Sequence, residues 1–170
     1  MTVERSEPSI TANEREMLEG WLEYHRATLL LKCEGVAPER LSERAVGPSN
    51  LSLLGLVRHM VEVERHWFLG VMRGPWLDTG VYWTDDDPDG DFDNVDGADT
   101  DDAFAQFDKA CQDARAVAAD YDDLDALSVP TPKGKQFNLR WIYTHMIEEY
   151  ARHNGHADLL RESIDGTTGD

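Results

Sequence analysis

Cysteine is scarce in this chain. Cys33 and Cys111 are the only two among 170 residues, and there is no CxxC pair, so no disulfide framework or cysteine-rich zinc site organises the fold. Both fall on apolar stripes of expected helices, where a thiol behaves as a small core hydrophobe. Basic residues are also few. Lys and Arg total 16 against 34 Asp and Glu, a formal net charge of −18. Such a surface repels nucleic acid and anionic membranes, and neither is expected as a partner. No run approaches the roughly 18 to 20 apolar residues needed to span a bilayer. The opening "MTVERSEPSI" is charged where a secretory leader would be apolar, and a cytoplasmic location is the expectation. Strand signals are weak as well: "GVYW" at 80–83 and "ALSV" at 126–129 are short and isolated.

What is present is helical periodicity. Thr11 and Glu14 have the spacing of a capping box, followed by Met17, Leu18, Trp21, Leu22, His25, Thr28, Leu29 and Lys32 at helical intervals. This helix should fade near Gly35 and stop before Pro38. A second follows the turn cluster "GPSN", with Leu53, Leu56, Met60, Val63, Trp67 and Val71 as its apolar side and Gly74-Pro75 as its end. A third starts after Asp99 or Thr100, either of them a good N-cap, and carries Phe104, Phe107, Cys111, Ala114, Ala118 and Tyr121. The fourth starts at Asn138. Leu139, Ile142, Met146, Tyr150, Ala157, Leu160 and Ile164 form its apolar side, and Gly166 stops it. The expected architecture is all-α: a four-helix bundle forming a single domain over residues 10–166, with 1–9 and 167–170 as flexible tails.

Between Asp78 and Asp102 there are eleven Asp and no Lys or Arg. This stretch reads as a solvated acidic crossover between the second and third helices, too long for a simple up-down turn. Within it, "DDDPDGDFDNVD" (Asp85–Asp96) nearly matches the spacing of an EF-hand calcium loop. The context is wrong for calcium: breakers rather than a helix precede it, Pro88 interrupts it, and its twelfth ligand is the short Asp96.

The chemical signal is polarity on an apolar face. With Glu149 set at zero on a helical wheel, His145 lies at about −40°, His153 at about +40° and His156 at about −20°. Ile142 and Leu160 share that face. Burying ionisable groups costs several kcal/mol each unless they are paired or bind a metal. Glu149 and His153, four apart, can grip one ion from one helix, and a His from a facing helix would complete three protein ligands. On the second helix His59 borders Leu56, Met60 and Val63, with His66 seven residues on. A His/His/Glu set suits Zn²⁺ with coordination positions left open; nickel and iron accept the same donors. The competing reading of each histidine alone is a satisfied core or boundary residue.

"LGLVRHMVEVERHWF" and "HMIEEYARHNGHADLLRESIDG" together resemble the second helix and the last metal-bearing helix of the DinB/YfiT-like superfamily. "WLEYHRATLLLKCEG" and "DPDGDFDNVDGAD" are similar to its actinobacterial branch. The resemblance covers about residues 11–166. It implies a bundle holding one divalent metal near one end of its core, with His59, Glu149 and His153 as ligands. The Glu at 149, where many members carry His, is similar to mycothiol-dependent maleylpyruvate isomerase. Relatives of that kind imply a thiol transferase or isomerase whose co-substrate is a low-molecular-weight thiol, mycothiol-like, acting on a small electrophile. A homodimer is compatible with the resemblance, though no stripe marks an interface.

Around that centre, His145 and His156 are candidates for orienting ligands or shuttling protons, with partly exposed helix histidines as the alternative. Trp76, Trp83, His66 and His25 are weaker candidates for substrate contact; for the two tryptophans the competing role is to plug the open side of the core. Lys133 and Lys135 would meet an acidic substrate or lie in a solvated turn. Two other functions use the same ligands: a metal-dependent hydrolase that activates water, and a non-catalytic metal- or ligand-binding module.

Overall fold

The computed structural model describes residues 3–169. The chain is all-helical, with no strand among the described residues. The helices are α1 (Glu14–Cys33), α2 (Leu53–Glu64), the four-residue α3 (Gly90–Asp93), α4 (Thr100–Ala119) and α5 (Leu139–Asp165). A 3₁₀ turn at Pro38–Arg40 follows α1, and α2 runs on as a π-helix over Arg65–Arg73. The weak strand signals leave isolated bridges nearby, Thr84 with Asp87 and Leu127 with Asn138. No helix among the described residues is long and apolar enough to cross a membrane.

Side-chain caps set the helix starts. Ser52 accepts from Gly55 N, Asp99 from Asp101 N and Asp102 N, and Asn138 from Trp141 N, each satisfying a backbone donor that the first turn leaves free. The expected Thr11 capping box does not form. Asn13 caps α1 instead, its Oδ1 accepting from Glu16 N at 3.0 Å; Asn two residues closer to the first turn reaches the same donors. Gly166, left-handed, ends α5.

α1 packs most extensively on α5, while α4 packs on α2 and its π continuation; α2 also meets α5 and α1. Leu22, Leu29, Leu56, Met60, Phe107, Ile142, Met146 and Tyr150 meet in the core, all buried, each contributing about 1.5–3 kcal/mol by leaving water. The π segment changes which residues of the second expected helix face inward. Its turns are wider than α turns, and the buried line runs Met60, Glu64, Phe68, Met72. Val63 and Trp67, expected inside, are only half-buried.

The acidic connection is solvated only in part. Gly90, Asp91 and Val95 are buried, and α3 packs on α2. Two apolar residues explain this: Phe92 and Val95 give the acidic run an inward face. The segments expected as tails touch the helices where described. Arg5 lies over the Tyr24 ring at 4.4 Å and donates to Thr28 Oγ1 at 3.2 Å, and Lys32 Nζ donates to Gly169 O. Residues 1, 2 and 170 of those tails lie outside the described residues.

Candidate metal centre

Leu56, Val57 and Met60 bury one side of α2, and His59 is left at the edge of that face, half-exposed. On α5, Met146 and Tyr150 are fixed in the core, which brings Glu149 and His153 round to meet α2. One donor atom from each of His59, Glu149 and His153 lies within 4.8 Å of the others. The His59 and His153 rings are 4.8 Å apart, and His153 Nε2 lies 3.5 Å from Glu149 Oε2. Zinc bonds of about 2.0–2.2 Å to N and O imply donor separations of about 3.3–3.6 Å in a tetrahedron, so the set fits one ion with small side-chain adjustments.

The protonation state suits a ligand. Burial, then the neighbouring His59, His156 and Arg152, holds the His153 imidazole down at about 4. It is therefore neutral at physiological pH, with a lone pair to offer. Glu149 supplies the negative charge, and none of its ion-pair partners is close: His145 Nε2 is at 3.6 Å and Arg152 Nη1 at 3.7 Å. These exceed good hydrogen-bond lengths.

A second donor group, His145, Glu148 and Glu149, shares Glu149. It comes from α5 alone, and exposed Glu148 is already paired with Arg152. The two-helix set is the stronger candidate, because donors from separate elements are held in place by the core between them.

The other candidates separate into two groups. His156 Nδ1 approaches His153 Nδ1 to 3.4 Å. His145 stacks on Trp141 at 4.9 Å and meets the Trp67 edge at 4.6 Å. His66 touches Trp67 and Trp76 at 5.2 and 5.0 Å, so an aromatic wall runs from Trp76 through His66, Trp67 and Trp141 to His145 beside Glu149. Burial and nearby His145 lower the His66 pKa. Trp83 instead covers Gly80, where an added Cβ would lie 2.3 Å from its ring. His25 stays on α1 with Trp21 and Tyr24, and Asn154 Nδ2 donates to its backbone O at 3.0 Å. Lys133 and Lys135 are exposed.

Helical periodicity does not mark two further features of the site. Asp91 is buried, with Oδ2 2.8 Å from His59 Nδ1. Phe92 stacks on a face of the same imidazole at 4.7 Å. Arg26 donates to both oxygens of fully buried Glu64, at 2.7 and 2.6 Å, and Tyr150 OH donates to Glu64 Oε1 at 2.7 Å. The second was open to notice: Glu64 falls four residues after Met60 on the buried line. For the first, eleven aspartates compete and periodicity favours none of them.

Residues 17–166 match the model of the mycothiol-S-transferase family. The chain belongs to that family. It is a DinB-like family, in accord with the superfamily that the two histidine-bearing helices resemble. The match runs from the first turns of α1 to the glycine that closes α5, so it takes in all three donors of the metal candidate. No curated protein matches the chain.

A cleft of about 540 Å³ lies elsewhere, lined by Arg15, Glu23, Arg26, Arg115 and Tyr143 among others. Its cations are already engaged, Arg15 with Glu19, Arg26 with Glu64 and Arg115 with Glu23, which leaves them little to offer an anionic ligand.

Proposed function

We propose that this mycothiol-S-transferase family member is a metal-dependent enzyme that activates a low-molecular-weight thiol, mycothiol-like, for transfer to, or isomerisation of, a small electrophile. The observation that carries the reading is the convergence of His59, Glu149 and His153, from α2 and α5, within 4.8 Å in a chain of that family. Zinc suits the donors best; nickel or iron would be accepted by the same atoms. The frame of the site is taken to be a four-helix bundle of α1, α2 with its π continuation, α4 and α5, forming one domain over 10–166, with the acidic crossover running from the second to the third of these.

The chain's own thiols support an external one. Burial pushes both Cys33 and Cys111 up to about 12, so each is a protonated core thiol and a poor nucleophile. A cation at the centre would lower the pKa of a coordinating thiol and favour its nucleophilic form. The protein's part is to hold His59, Glu149 and the neutral His153 on one point. His145 and His156, beside Glu149 and His153, would take up or return a proton. Trp67 and Trp141 flank His145, Trp76 extends the wall through His66, and together they would shield an organic substrate from water.

The test is consumption of a panel of electrophiles by purified, metal-loaded protein with and without added thiol. Turnover that needs the thiol supports the transferase reading. Full turnover without any thiol would instead indicate a hydrolase acting through the same ligands, and tight metal binding with no turnover would indicate a binding module.

A further inference from the structure

The acidic segment is bound to the metal candidate by one face of α2. Gly55, Arg58, His59 and Glu62 recur at helical spacing, and each holds a different part of the connection. At Gly55 an added Cβ would lie 3.3 Å from the Phe92 ring and 3.5 Å from its Cα, so glycine allows α3 to come close. Arg58 donates to Gly90 O at 2.9 Å and to Asn94 O, and its guanidinium lies 4.3 Å from the centre of the Tyr82 ring. Glu62 Oε1 accepts from Val81 N and Tyr82 N, both at 2.6 Å. In the middle of this clasp, His59 meets the Asp91 carboxylate with Nδ1 and the Phe92 ring with its face.

That placement has a chemical consequence. A carboxylate accepts hydrogen bonds and donates none. The 2.8 Å contact with Asp91 Oδ2 therefore calls for the His59 proton on Nδ1, which leaves the Nε2 lone pair as the ring's donor atom. Phe92, stacked on the ring at 4.7 Å and tilted by 28°, restricts it from turning over to offer the other nitrogen. A ligating histidine whose second nitrogen is held by a carboxylate is both oriented and made more basic.

We propose that Asp91 is a positioning residue. It fixes the tautomer and direction of His59, so that one aspartate of the acidic connection belongs to the frame of the metal centre while its neighbours remain solvated. This rests on the reading that His59, Glu149 and His153 hold a cation.

The first readout needs no metal and no variant. ¹⁵N NMR of the histidine rings at about pH 8, above the ordinary imidazole pKa, should find His59 of the metal-free protein with Nδ1 protonated and Nε2 bare. In Asp91→Ala the ring should lose that preference, and zinc affinity measured by chelator competition should fall about 10- to 100-fold. Asp91→Asn keeps the side-chain shape and an acceptor for Phe92 N, so it preserves the fold if Asp91→Ala does not; it turns an amide N–H toward His59 Nδ1, which favours the wrong tautomer, and its loss should be at least as large. Asp89→Ala and Asp93→Ala remove equal charge from exposed neighbours, and should change affinity by less than about twofold, as screened surface charges do.

An Nε2-protonated His59 in the wild type, or Asp91 variants that bind zinc as the wild type does, would overturn the proposal. So would equal losses in the Asp89 and Asp93 variants, because bulk charge would then explain the effect. His59→Ala separates the two levels. If it binds zinc as tightly as the wild type, the three-ligand reading itself fails. If it loses zinc while the Asp91 variants do not, only the positioning role fails.

Discussion

Glu64, at the end of α2, and Glu149, on α5, are carboxylates on helix faces that otherwise carry hydrocarbon, and their surroundings are opposite. Glu64 is fully buried and saturated: Arg26 meets it with two nitrogens at 2.7 and 2.6 Å, and the Tyr150 hydroxyl donates at 2.7 Å. Glu149 is half-buried, and the nitrogens paired with it stand at 3.5, 3.6 and 3.7 Å. A buried ion pair gains little net stability over well-packed hydrocarbon, but its geometry is costly to break. Arg26, Glu64 and Tyr150 come from α1, α2 and α5 and fix how those helices meet. At Glu149, α2 and α5 bring two imidazoles beside a carboxylate without pairing it closely. The first arrangement is complete within the protein, whereas the second has coordinating capacity to spare.

Stability measurements distinguish the two carboxylates. Arg26→Met leaves Glu64 buried without its cation and should cost about 3–5 kcal/mol in denaturant unfolding. A loss below about 1 kcal/mol would mean that the pair is not structural. Glu149→Ala, measured on chelator-treated protein, breaks no close hydrogen bond and should change stability by less than about 1 kcal/mol. A loss as large as that of Arg26→Met would assign Glu149 to the scaffold and erase the distinction.

Most of the helical frame could be read from the sequence, because apolar residues at three- and four-residue spacing report which side of a long helix is buried. The apolar side expected for the last helix, from Leu139 to Ile164, is buried throughout. Asp99, Asn138 and Gly166 stand at the expected ends. The π continuation of α2 was not legible. Its wider turns carry Phe68 and Met72 inward and leave Trp67 at the edge. Glu149 and His153 could be singled out because histidine and glutamate on an apolar face cost free energy, and the helical wheel alone places these two α5 donors together; His59 was distinguished from His66 and His25 only by the resemblance of its helix to that of the DinB/YfiT-like superfamily. Asp91 could not be, since its role depends on a non-periodic segment folding back onto α2. Phe92 and Val95, apolar at i and i+3 within a run of aspartates, were the one local sign that this segment docks.

The central claim is that α2 and α5 jointly hold one divalent cation. Elemental analysis of purified wild-type protein and of His59→Ala tests it most directly. About one transition metal per chain is expected in the wild type, and its loss from His59→Ala with the fold intact. Full metal occupancy in His59→Ala would contradict it.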